Sequence, residues 1–202
     1  MEWSDIYLDQ PHPWIKEGLK YTSRPDDSWC GFLRPKTDVI GWWWLWPETV
    51  ELVKWWRVEL QRMLNREIDT TERMLITSTG QPLYRDSSRN GQTSFGNQWA
   101  RLLDRVEKNE GLQAVPRLPF GKLRDQLSNW LGSDENQAVL ASTALAHGIP
   151  HKSDKLLFKH YSNRPWAQLF EKQREFRKVL QPMFDECPNP TASLNTQQHS
   201  CE

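Results

Sequence analysis

The chain has few cysteines, scattered histidines and no excess of either charge. Its three cysteines are an odd number without C-x-x-C spacing, so they predict neither a disulfide framework nor a zinc site. The five histidines are too far apart along the chain to indicate a metal cluster. Twenty-six basic residues balance twenty-six acidic ones. The composition therefore lacks the overall positive charge that is typical of many nucleic-acid binders.

Long apolar runs are also absent, and residues 1–5 have no signal-peptide character. We therefore expect a soluble, cytoplasmic protein without a membrane partner. A chain of 202 residues fits one domain, or one domain with a tail. Its charge is locally uneven, because residues 151–178 are clearly basic. A basic face is compatible with phosphate contacts, although a solvated helix face has the same composition.

Aromatic residues are abundant, with twelve tryptophans in all and four of them between Trp42 and Trp46. Exposed tryptophans in a row would form a stacking platform for sugars or bases. A buried strand is the more common structure for such a run, because bulky aromatic side chains suit a pleated surface covered by helices. We favour the buried strand, and we keep a carbohydrate-binding surface as a distant alternative.

The N-terminal part of the chain predicts a small antiparallel sheet. Gly31–Leu33 and Ile40–Leu45 read as strands, and turn residues between them place Lys36 near the tip of a hairpin. Trp3–Leu8 reads as a short strand or turn, and Met74–Thr77 as a further short strand closed by a glycine.

Helices dominate the rest of the sequence. Pro47 begins a helix that continues to about Arg66, and apolar residues at helical spacing predict four more. The first has Ser94 as its N-cap, and the second has apolar positions from Phe120 to Leu131. The third covers Asn136–Ala146, and the fourth has Asn163 as its N-cap and Pro165 at its first position. The predicted fold class is α+β, mainly α.

Four residues with useful chemistry lie on separate predicted elements: Lys36, Arg124, His147 and Tyr161. Together they provide the groups that attack a phosphodiester without a metal. A tyrosine acts as a nucleophile only if its phenol, whose ordinary pKa is about 10, meets a base or concentrated positive charge.

Five motifs around these residues resemble the catalytic domain of the tyrosine recombinase, or phage integrase, family. The motifs are Arg34–Thr37, Leu45–Val50, Phe120–Arg124, Leu145–Gly148 and His160–Pro165. Each is weak alone, but their order and spacing are those of a bacterial integrase-like branch. The resemblance runs from about Trp3 to Phe184. It implies an integrase-like domain over residues 1–184, followed by a polar tail over 185–202 that we expect to be disordered.

The resemblance implies a site-specific recombinase that integrates and recombines double-stranded DNA. Tyr161 matches the nucleophile that forms a 3′-phosphotyrosyl link, and Arg124 matches the second catalytic arginine. His147 matches a histidine that donates to the same phosphate, and Lys36 a hairpin lysine that protonates the departing 5′-oxygen. The family uses no metal or other cofactor. Its members usually act as tetramers, which implies other recombinase protomers as partners.

Basic residues near these motifs are the candidates for DNA contact. They are Lys122, Lys152, Lys155, Lys159 and Arg164. Each catalytic candidate also has a structural alternative. Lys36 would be a solvated turn residue, Arg124 would pair with Asp125, and His147 would cap a helix before a glycine.

Two departures from the family pattern lead to a second hypothesis. Gly121 occupies a position at which the family usually has His or Lys, and glycine cannot assist proton transfer. The family's first catalytic arginine lies upstream of the region that matches Trp3–Asp9, so we expect this chain to lack that arginine and the preceding DNA-clamping domain. The alternative is therefore a catalytically inactive DNA-binding remnant.

Overall fold

The N-terminal part of the chain forms a three-stranded antiparallel sheet. The computed structural model describes residues 1–14, 20–34, 38–77, 79–83, 93–111, 116–132, 138–147, 164–187 and 191. After a 3₁₀ turn at Trp3–Asp5, the strands are β1 (Ile6–Tyr7), β2 (Trp29–Arg34) and β3 (Val39–Trp44), in the spatial order β1-β2-β3. The predicted hairpin is thus confirmed, whereas its turn, with Lys36, lies outside the described residues.

Close packing between β2 and β3 depends on a glycine. Gly31 pairs with Trp42 across the two strands. A Cβ added at Gly31 would lie 2.2 Å from Cε3 of Trp42, so the indole occupies the space that any other side chain would need. The strand pairing and the aromatic core are therefore coupled at this position.

Helices make up most of the remaining described chain. They are α1 (Pro47–Leu64), α2 (Thr93–Glu110), α3 (Gly121–Gly132), α4 (Ala138–Ala144), α5 (Trp166–Val179) and α6 (Gln181–Glu186). The coarse fold class, α+β and mainly α, is confirmed. Helix α1 begins at Pro47 as predicted, because proline has a preset φ and needs no hydrogen-bond acceptor in the first turn. It ends at Asn65, whose backbone is left-handed with φ of 50°.

The predicted strand at Met74–Thr77 is wrong. Only an isolated bridge forms there, between Ile76 and Pro82. The amide of Thr77 donates to Gln81 O at 2.7 Å across a tight turn. The amide of Leu83 donates to Leu75 O at 3.1 Å on the other side of the bridge, and no regular strand extends the pairing within residues 74–77 and 79–83.

Three predicted helix starts differ in detail from the structure. Pro165 is the N-cap of α5, one position before the first helical residue. Ser94 lies inside the first turn of α2, since that helix already includes Thr93. Helix α4 covers only Ala138–Ala144 of the predicted range. Asn163 and the predicted polar loop at 86–91 lie outside the described residues.

The larger hydrophobic core lies between the sheet and helices α3, α4 and α5. Its buried members are Trp29, Trp42, Leu131, Ala144, Trp166, Leu169 and Phe170. The tryptophan run contributes to this region: Trp42 is buried, Trp44 packs against the core, and Trp46 lies near the rings of α5 and α6. The buried-strand interpretation is confirmed for Trp42, and its neighbours are partly covered rather than displayed as a platform.

A second core cluster joins α1 to the chain's N-terminal turn. Trp3, Val53, Leu60, Ile68 and Met74 are buried together. The indole N–H of the neighbouring Trp56 donates to Met74 O at 2.8 Å. This cluster explains why residues 66–76 stay close to the body without forming regular structure.

Candidate functional site

Two of the predicted site residues, His147 and Arg164, lie at the C-terminal end of α4. Ala146 has a left-handed backbone with φ of 48°, a conformation that usually requires glycine. Its N–H donates to Thr143 O at 3.0 Å, and the N–H of His147 donates to Ser142 O at 3.0 Å. These two bonds close a left-handed helix C-cap. The backbone of His147 is therefore part of the cap, as the structural alternative for this residue predicted.

Two side chains from the β2–β3 hairpin satisfy the next carbonyls of α4. Trp43 Nε1 donates to Ala144 O at 2.8 Å. Arg34 Nη1 donates to Leu145 O at 3.1 Å and to Ala146 O at 3.4 Å. A guanidinium is favourable there because the helix dipole leaves partial negative charge on the last carbonyls. The hairpin is thus attached to the helix end beside His147.

Arg164, which follows His147 by 17 positions, supplies a second guanidinium at the same helix end. Arg164 Nη1 and Nη2 both lie 3.4 Å from His147 O. The residue is half-buried, and its burial lowers the pKa of the guanidinium below its ordinary value. It remains charged at neutral pH, because a guanidinium is not deprotonated in proteins. Arg164 was a predicted DNA contact, and the structure places its charge against a backbone carbonyl.

Arg124 and Lys122 lie on the first turn of α3 and share one carboxylate. Arg124 Nε is 3.7 Å from Asp125 Oδ1, and Lys122 Nζ is 3.1 Å from Asp125 Oδ2. The side chains of Arg124 and Lys122 are 59% and 60% exposed. Surface pairs of this kind stabilise a protein by only about 0–1 kcal/mol. The predicted structural alternative for Arg124 is therefore present, in a form that an incoming phosphate can displace.

Five predicted site residues lie outside the described residues. They are Lys36, Tyr161, Lys152, Lys155 and Lys159. In the sequence, Lys36 follows Arg34 by two residues and Tyr161 precedes Arg164 by three.

Among the described residues, no group of three or more His, Cys, Asp or Glu side chains is arranged to hold a metal ion. No described helix combines the length and apolarity that crossing a membrane requires.

The family models, the curated proteins and the solved structures contain no match to this chain. The tryptophan run, the α4 cap and the α3 cations must therefore be interpreted from their own chemistry.

A separate cleft of about 550 Å³ lies between α1, α5 and the turn before β2. Its main charges are already paired: Arg174 is 2.5 Å from Asp27, and Lys54 is 2.5 Å from Asp9. The Asp27 carboxylate also accepts the indole N–H of Trp44 at 3.1 Å. None of the predicted site residues lines this cleft, and its mixture of acidic and basic side chains does not make it a basic concavity.

Arg34 is the residue that sequence reasoning missed. It belongs to the motif around Lys36, yet no role follows from its position at the end of a strand. Its partners, Leu145 and Ala146, lie 111 and 112 positions further along the chain. The only local signal was a basic residue next to a predicted turn, which is common on solvated surfaces.

Proposed function

We propose that the protein is a tyrosine recombinase-like DNA strand-transfer protein. One observation carries the proposal: Arg34 and Arg164 both donate to the backbone at residues 145–147, beside His147. They are the described neighbours of Lys36 and Tyr161. Described residues of three of the five motifs therefore lie together at one helix end, which supports the proposal.

In the proposed reaction, the Tyr161 phenol loses its proton to solvent, and its oxygen attacks the scissile phosphorus of duplex DNA. The P–O5′ bond breaks as the tyrosyl–phosphate bond forms, and Lys36 transfers a proton to the departing 5′-oxygen. Arg124 and His147 donate to the non-bridging oxygens as charge builds in the transition state. Rejoining reverses these steps, with a 5′-hydroxyl of the same or another DNA end as the nucleophile.

The exposure of Arg124 is compatible with this role. Its guanidinium is held by one surface carboxylate at 3.7 Å, a weak contact that a DNA phosphate replaces at little cost. Asp125 keeps Lys122 as a partner at 3.1 Å when Arg124 leaves. The carboxylate is therefore not stranded by DNA binding.

Covalent capture tests the proposal. The protein is incubated with nicked duplexes of random core sequence, denatured in SDS, and its attached DNA is sequenced. The expected result is a DNA–protein adduct that survives boiling and is lost in Tyr161→Phe, while that variant still binds DNA. Tyr7→Phe, which removes a hydroxyl from the sheet, is the matched control and should retain the adduct. Equal adduct yield from Tyr161→Phe contradicts the assigned nucleophile.

DNA binding without cleavage is the second candidate function. The helix that carries Arg124 favours it, because a position that the family usually fills with His or Lys is a glycine here. Gly121 supplies no side chain for proton transfer there. This alternative predicts binding to duplex DNA that weakens steeply with salt, together with no adduct from either wild-type protein or Tyr7→Phe.

A further inference from the structure

We propose that Arg34 and Arg164 are positioning residues that together fix the backbone at His147. We call the two side chains the arginine clamp. Arg34 Nη1 bridges Leu145 O and Ala146 O, and both terminal nitrogens of Arg164 lie at the same distance from His147 O. Three successive carbonyls are thus held by two guanidinium groups from distant parts of the chain. The catalytic consequence of the clamp rests on the proposed function.

The need for a clamp follows from the conformation of the helix end. Ala146 is fully buried, and its backbone lies in the left-handed region, which is unfavourable for a residue with a Cβ. Carbonyls beyond the last helical turn have no partner within the helix. The two arginines donate to the carbonyls of residues 145–147, on either side of the left-handed residue, and so oppose a change in its conformation.

A rigid fork explains why arginine suits this position better than another cation. A guanidinium has five N–H donors in one plane, so one side chain spans two carbonyls and keeps their relative orientation. A lysine ammonium is a point charge on a flexible stem. It would neutralise the helix end without fixing the angle between strand β2 and α4.

The clamp joins three chain segments that the proposed chemistry requires at one place. In the sequence, strand β2 precedes Lys36, and Arg164 follows Tyr161 and precedes α5. The cap of α4 ends at His147. In this arrangement the donors of Arg164 are directed at a backbone carbonyl. The clamp therefore assigns Arg164 to positioning, in place of the DNA contact predicted from the sequence.

Amide hydrogen exchange tests the clamp without any DNA. In Arg34→Gln and in Arg164→Gln, we expect the amides of Ala146 and His147 to exchange about tenfold faster or more, while α1 is unaffected. Arg62→Gln, which removes an exposed arginine from α1, is the matched control and should change neither amide. Unchanged exchange at Ala146 and His147 in both clamp variants would overturn the inference.

Attachment kinetics on a duplex recovered by covalent capture test the consequence for catalysis. Arg34→Gln should slow adduct formation at saturating DNA about 10- to 100-fold, since small misplacements of catalytic groups have effects of this size. DNA affinity and its dependence on salt should stay unchanged. Arg34→Lys should not restore the rate, because charge alone is insufficient. Recovery of the rate in Arg34→Lys would contradict the positioning role. A shallower salt dependence of DNA binding in Arg34→Gln would also contradict it, because it would indicate a lost phosphate contact.

The two measurements separate the failure of the clamp from the failure of the proposed function. Absence of an adduct from the wild-type protein counts against strand transfer, and hydrogen exchange still decides whether the clamp fixes His147. A normal adduct together with unchanged exchange in the arginine variants leaves strand transfer standing and removes the clamp.

Discussion

Acid should destabilise this protein through one buried histidine. His12 is 1% exposed, and its ring lies 4.4 Å from Trp42, 4.8 Å from Trp29 and 5.2 Å from Phe170, measured between ring centroids. Its Nδ1 accepts the backbone N–H of Trp14 at 3.1 Å, which assigns the proton of the neutral ring to Nε2. That nitrogen has no partner among the described residues. The site therefore accommodates a neutral imidazole and opposes a charged one.

The size of the effect follows from the lowered pKa. Burial lowers the pKa of His12 from 6.5 to about 4, whereas the unfolded chain keeps a value of about 6.5. As the pH falls through this window, the unfolded state binds the proton first, so stability is complete above pH 6.5 and is lost towards pH 4. One pKa unit corresponds to about 1.4 kcal/mol, which gives a loss of about 2 kcal/mol by pH 5 and about 3 kcal/mol in full.

Urea unfolding at pH 7 and at pH 5 measures this loss. The comparison variant is His12→Phe, which keeps an aromatic ring at the site and cannot bind a proton. Carboxylates that titrate near pH 5 affect both proteins equally, so the difference between their two losses isolates His12. We expect the wild-type protein to lose about 2 kcal/mol more than the variant between these pH values. Equal losses would show that His12 is solvated or already paired, and the reasoning from burial would be wrong.

Two further predictions concern the sheet and the buried ion pair, both measured by urea unfolding. Gly31→Ala should lower the free energy of unfolding by about 1–3 kcal/mol, because the new Cβ meets Trp42. Gly96 lies in open space on α2, so Gly96→Ala should raise the free energy of unfolding by up to about 1 kcal/mol. Similar effects at both sites would contradict the packing argument. Asp27→Ala should cost about 3–5 kcal/mol by leaving the Arg174 charge unpaired. Adding Arg174→Met should recover part of that loss, and simple additivity would show that the pair is not coupled.

Elements with a strong local pattern were predictable from the sequence. Pro47 and the apolar residues that follow it at helical spacing specify α1 without reference to the rest of the chain. The β2–β3 hairpin follows from two aromatic or β-branched segments separated by turn residues. The strand predicted at Met74–Thr77 shows the limit of such reasoning. An apolar run becomes a strand only if a partner segment continues the ladder, and among the described residues the pairing is limited to the bridge between Ile76 and Pro82.

Contacts between distant segments were not predictable in the same way. His12 stands in a polar, proline-rich stretch that gives no sign of burial, yet the rings of Trp29, Trp42 and Phe170, from three separate elements, pack against it. Each ring comes from a different position along the chain, and only the fold brings them together. The same holds for Arg34, whose acceptors lie more than one hundred residues away.

The two arginines closest to the proposed chemistry show what a motif can and cannot specify. Arg124 was predicted from its motif, and it stays 59% exposed beside Asp125. Arg34 was not predicted, and it is half-buried against the end of α4. A motif identifies groups that meet a substrate, because their chemistry is needed at the surface. The residues that position the site depend on the fold. Their partners are backbone atoms, which every residue has, so no sequence pattern identifies them. Lys122 lies 3.1 Å from Asp125, so the carboxylate that contacts Arg124 has a second cation beside it.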